Sequence, residues 1–196
     1  MVPIFEQGQG NGIGHSFDTF LRRFIEICEE HLENGRAKSF AFILYDFQDD
    51  STKEVLRNQG GFARLDRLSG KDLSVFYIHS DNKKMIRAFN DIFLGAFEIE
   101  TKSKLPFVLF FNVVDREVTN VEIVELEQSN ILFAFEELYT IIENYIERMK
   151  NNSVEKVKPS TNKVTEFLKS VKKIALDRFI KYLFDKGTEY AGHNLF

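Results

Sequence analysis

The stretch Leu105 to Phe111, Leu-Pro-Phe-Val-Leu-Phe-Phe, restricts the possible folds more than any other. An apolar run this short, rich in β-branched and aromatic residues, is too brief for a helix and reads as a buried strand. The proline fits its first residue, where no ladder donor is needed. Ser39 to Phe47 (Ser-Phe-Ala-Phe-Ile-Leu-Tyr-Asp-Phe) and Leu73 to Ile78 (Leu-Ser-Val-Phe-Tyr-Ile) have the same character. Near-continuous apolar runs of this kind belong to strands covered on both faces.

The intervening segments carry helical spacing. Phe17, Phe20, Leu21, Phe24, Ile25, Cys28 and Leu32 fall on one face, with Ser16 as N-cap, Asp18 in the first turn and Asn34-Gly35 at the end. Ser51-Thr52-Lys53-Glu54 has capping-box spacing, so a helix begins at Ser51 or Thr52 and stops near Gly60-Gly61, with Phe62 to Leu68 a further helical piece. Ser80 or Asp81 caps a helix bearing Met85, Ile86, Phe89 and Phe93, which Gly95 ends. In Val121 to Leu126, Glu122 and Glu125 interrupt the apolar residues, which predicts a strand with one wet face, nearer an edge. Asn130 starts a helix with Ile131, Phe135, Leu138, Ile142, Tyr145 or Ile146, and Met149 on one side.

Composition narrows the function classes. The chain has 196 residues, enough for one domain with an extension, and its 21 Phe and six Tyr with no Trp predict a core packed around aromatic rings. A single cysteine, Cys28, excludes an intramolecular disulfide and any Cys-x-x-Cys redox or zinc site within one chain. Inside its apolar stripe Cys28 reads as a small core residue, and a reduced, cytoplasmic setting is expected. The N-terminus lacks a basic segment followed by an apolar run, and no stretch approaches the roughly 20 apolar residues of a membrane span. The expectation is a soluble protein without a cofactor or metal.

Three local features invite chemistry, each with a plainer reading beside it. Gly8, Gly10, Gly12 and Gly14 lead into Ser16 and could close on an anion, but no Gly-Lys-Ser/Thr ending follows; a flexible leader is the simpler account. Asp46, Asp49 and Asp50 cluster where open α/β sheets bind ligands, yet solvated acids near a helix N-terminus also explain them. His15, His31, His79 and His193 show no metal-ligand spacing, and no Gly-x-Ser-x-Gly nucleophile turn accompanies His79.

Asn151 to Asn162 reads as a linker, dividing residues 1–150 from an extension at 151–196. Beyond it, Val164, Phe167, Leu168, Val171, Ala175, Phe179, Tyr182 and Leu183 repeat at helical spacing up to Gly187. Seven Lys or Arg against three Asp or Glu between Lys163 and Lys186 make this helix basic on a chain of net charge −4. It folds back on its domain, pairs with a partner or second copy, or lies on an anionic membrane. Ile174, Leu176, Ile180 and Phe184 widen the stripe, which suits protein contact better than lipid. Phe167, Val171, Phe179, Tyr182 and Leu183 are the expected partner-binding residues.

The element order after the first helix is strand, helix, strand, helix, strand, strand, helix. Helical crossovers imply parallel neighbours and the short last link an antiparallel hairpin. This order, with the proline-led run before the hairpin, resembles the thioredoxin-like family over about Ser39 to Met149. The resemblance implies an α/β, thioredoxin-like three-layer sandwich with a central mixed sheet, here with extra N-terminal and C-terminal helices. It also implies a cis Pro106 beside the loop after the first strand, where the family's redox Cys-x-x-Cys begins a helix. The matching positions here, Gln48, Asp49, Asp50 and Ser51, contain no cysteine. Thiol–disulfide exchange needs a thiolate, so the expectation is a non-redox protein-interaction module, a subunit or accessory of a complex binding a protein partner or forming a homodimer. The alternative is a Rossmann-like nucleotide- or metal-binding enzyme or sensor using Gly8 to Ser16 or Asp46 to Ser51. Acidic net charge and the lack of a basic-aromatic pattern argue against nucleic acid for the body, leaving only the C-terminal helix as a remote candidate.

Overall fold

The apolar runs become neighbouring strands because only a central place in a sheet covers large side chains on both faces. In the computed structural model of the chain they are β2 (Ser39–Leu44), β3 (Leu73–His79) and β4 (Phe107–Val114), flanked by β1 (Val2–Phe5) and β5 (Glu117–Glu125). The structure describes residues 2–5, 26, 30, 39–57, 59–70, 72–80, 82–99, 105–127, 131–150, 166–167 and 173–194. The sheet order is β1-β3-β2-β4-β5, with β1, β3 and β2 parallel, β4 antiparallel to β2, and β5 antiparallel to β4. Two short strands, β6 (Glu166–Phe167) and β7 (Ile174–Ala175), both pair antiparallel with β5.

Five helices are described: α1 (Asp50–Arg57), α2 (Gln59–Ser69), α3 (Lys83–Ala96), α4 (Ile131–Lys150) and α5 (Leu176–Asn194). α3 and α5 cover one face of the sheet, and α4, in contact with α1 and α2, covers the other. Among the described residues no helix is long and apolar enough to cross a membrane.

The aromatic core expected from composition sits mainly on the first of these faces. Phe42 stacks on Phe76 at 5.5 Å and on Phe111 at 5.6 Å, while Phe93 of α3 closes to 4.0 Å over Phe42. Phe179 of α5 lies 5.0 Å from Phe97 and 5.8 Å from Phe111. Tilted and offset pairs at such distances each add about 0.5–1.5 kcal/mol beyond the area they bury.

The opposite face is largely apolar but carries a polar seam. Phe110 stacks on Tyr145 of α4 at 4.1 Å, and Tyr145 Oη donates to Asn112 Oδ1 at 3.0 Å. Burial raises the Tyr145 pKa well above the ordinary phenol value. Beside them Arg148 donates twice to the Glu122 carboxylate, at 2.9 and 3.1 Å, with Glu122 only 5% exposed. Glu122 thus does not lie on a wet face: a bidentate guanidinium removes the cost of burying it, and β6 covers the β5 edge beyond it.

Other boundaries differ from expectation for local reasons. Asn82 caps α3, its Oδ1 accepting from Lys84 N at 2.9 Å, and Ser80 Oγ instead accepts from Asn82 N. The helix runs through Gly95, and Glu98, at φ 55°, takes the left-handed position that closes its C-terminus. The hairpin turns at Asp115 and Arg116, both at positive φ, which lengthens β4 and β5 toward each other. The last helix begins at Leu176, after β6 and β7, and continues past Gly187. Backbone groups before Leu176 find partners on the β5 edge that a helix would have forgone. Glu26 and Glu30 are helical and exposed.

Candidate functional site

Among the described residues two places can carry function, the carboxyl end of β2 and the outer face of α5. At the first, the pairing of Leu44 with Phe107 sets Pro106 beside Tyr45, so the proline stands at the mouth of the Asp46–Ser51 loop. The Leu105–Pro106 peptide is cis, and Pro106 O accepts from Leu126 N at 2.9 Å. Tyr45 is buried; its hydroxyl donates to Ile78 O at 2.8 Å and its carbonyl accepts from Asn90 Nδ2 at 3.0 Å. The strand end is therefore tied to β3 and α3. Sequence reasoning missed Asn90, whose Oδ1 is buried without a hydrogen-bond partner among the described residues.

The loop acids hold the turn. Asp46 N donates to the Asp49 carboxylate and Phe47 N to Asp46 Oδ1, while Asp49 N reaches Asp46 O at 3.0 Å. Lys53 N then donates to Asp49 O at 3.0 Å, the first bond of α1. Asp50 pairs with Lys53 at 2.8 Å, and the same ammonium sits 4.5 Å over the Phe47 ring. Carboxylates at a helix N-terminus are favoured by its dipole, and that is how these are used. Among the described residues no group of three or more His, Cys, Asp or Glu could hold a metal ion.

α5 realises the first of the three readings of the last helix, folding back on its own sheet. Leu176, Phe179 and Leu183 are all buried in the same core as the strands. Phe179 and Leu183, expected to face a partner, are thus spent inside the chain, because the helix carries apolar residues on two sides and the sheet takes one of them. Tyr182 is half-buried, its ring so close to Gly95 of α3 that a methyl group there would overlap the hydroxyl. Leu176 N donates to Arg116 O at 2.8 Å, and Arg116 and Asp177 form an ion pair across the same junction. Gly8 to Ser16, Cys28, Val171, the Asn151–Asn162 linker, and the side chains of Phe167, His79 and His193 lie outside the described residues.

The side that the sheet does not take forms a groove of about 310 Å³, lined by Arg116, Leu176, Asp177, Ile180, Lys181, Phe184 and Asp185. Phe184 is 52% exposed, one of three exposed large apolar side chains among the described residues. Ile180 and Phe184 were visible in the sequence as residues outside the main stripe; which side the sheet would cover was not. Comparison with protein-family models, with curated proteins and with solved structures returns no match to the chain.

Proposed function

We propose that this chain is a thioredoxin-like protein without redox chemistry that acts by binding another protein, as a subunit or accessory of a complex. The observation that carries the reading is the strand arrangement: parallel β2 and β3 joined through helices, then an antiparallel β4–β5 hairpin and a helix, with Pro106 at the mouth of the loop after β2. That loop offers carboxylates engaged with backbone N–H groups and no thiol, so disulfide exchange has no nucleophile there. The surface left for a partner is the outer face of α5, where an apolar groove is rimmed by charge.

The test is affinity capture from the native cell extract with the full chain and with the Ile180→Asp/Phe184→Glu variant. Phe184 is exposed, whereas Ile180 is half-buried against the core, so circular dichroism and thermal unfolding first establish that the variant keeps the fold. A protein retained by the wild type and lost from the variant is the expected result. Retention of the same proteins by both would contradict the role given to α5.

A further inference from the structure

We infer that the occupant of the α5 groove is a second copy of this chain, the two helices packing antiparallel about a two-fold axis. The inference rests on the binding-module reading and names its partner. Ile180 and Phe184 form one ridge four residues apart, and Lys181 and Asp185 form the adjacent ridge. A two-fold axis lying in the interface and perpendicular to the helix sets each ridge against its own copy, reversed in direction. With that axis at the level of Leu183, Lys181 faces Asp185 of the second copy and Asp185 faces its Lys181. Ile180 and Phe184 then interleave across the axis, a phenylalanine ring entering each groove.

Charge complementarity selects this occupant. Of the two cations lining the groove, Arg116 is taken by Asp177, whereas Lys181 has no ion pair among the described residues. Asp185, the second acid, also has none with its side chain. One cation and one anion, neither in an ion pair among the described residues, flank an apolar ridge and make a surface that complements itself, not one suited to a strongly acidic or basic partner. A single helix pair is a small interface, so the dimer is a concentration-dependent one.

The experiment is size-exclusion chromatography with light scattering on the full chain over a wide concentration series. The mass is expected to rise from 22.9 kDa toward twice that value. Lys181→Asp and Asp185→Lys, each alone, put like charges opposite and shift the dissociation midpoint upward by about tenfold or more. The double variant Lys181→Asp/Asp185→Lys restores opposite charges and so restores the dimer. A chain that stays monomeric at every concentration overturns the inference, as does a double variant no better than the singles. If the chain is monomeric yet extract capture still depends on Phe184, the binding-module reading stands and only the second-copy partner falls.

Discussion

Glu122 shows how one residue can be misread from sequence and still be decisive for stability. Its carboxylate is buried on β5 and held by both terminal nitrogens of Arg148, which comes from α4, 26 positions away. No local pattern reports such a partner, so an interrupting glutamate reads as a wet face when it is a buried ion pair. Removing one member strands the other in a low-dielectric site. Arg148→Met is expected to cost about 3–5 kcal/mol, whereas Glu122→Leu with Arg148→Met should lie near neutral, since an apolar pair of similar volume fits the same seam. Urea unfolding of the wild type, the single and the double variant measures both numbers. A single variant as stable as the wild type would mean that the charges are not buried as described.

Elements were legible where their signal is local and lost where it depends on long-range packing. The three apolar runs and the long helix after Asn130 announced β2, β3, β4 and α4 because alternation, length and spacing reside in the segments themselves. β1 was not visible, since Val-Pro-Ile-Phe is short and carries a proline, and only its pairing with β3 makes it a strand. The hairpin was expected from the short last link, but its turn at Asp115–Arg116 was hidden because neither residue advertises a positive φ as glycine would. For α5 the sequence showed two apolar sides, and the sheet chose between them. Where α5 crosses α3, Gly95 faces Tyr182, whose hydroxyl a Cβ at that position would overlap. Alanine has the better helix propensity by about 1 kcal/mol, but overpacking costs about 1–3 kcal/mol, so Gly95→Ala should destabilise the wild type. In a Tyr182→Ala background the clash is gone and the same change should stabilise by about 1 kcal/mol. The same sign in both backgrounds would show that the two helices do not meet there.

At the scale of the whole molecule, the C-terminal segment is bound into the body twice. β6 and β7 extend the sheet beyond β5, and α5 contributes Leu176, Phe179 and Leu183 to the core that Phe42, Phe97 and Phe111 share. Ending the chain at Asn152 would therefore expose core rings along with removing a surface, which is why outer-face substitutions separate binding from folding and truncation does not. The candidate site was legible only in part: Pro106 and the loop it adjoins could be read from the run that opens β4, while the groove depended on which side of α5 the sheet covered. α5 is part of the domain, and only its outer face is left for a partner. Hydrogen exchange of the full chain, followed by mass spectrometry, tests this directly. Amides from Ile180 to Leu183, which are bonded within the helix, should exchange as slowly as those of α3, through opening of the whole domain. Fast, independent exchange across α5 beside a protected sheet would make the helix a detachable arm, and would return Phe179 and Leu183 to the partner surface.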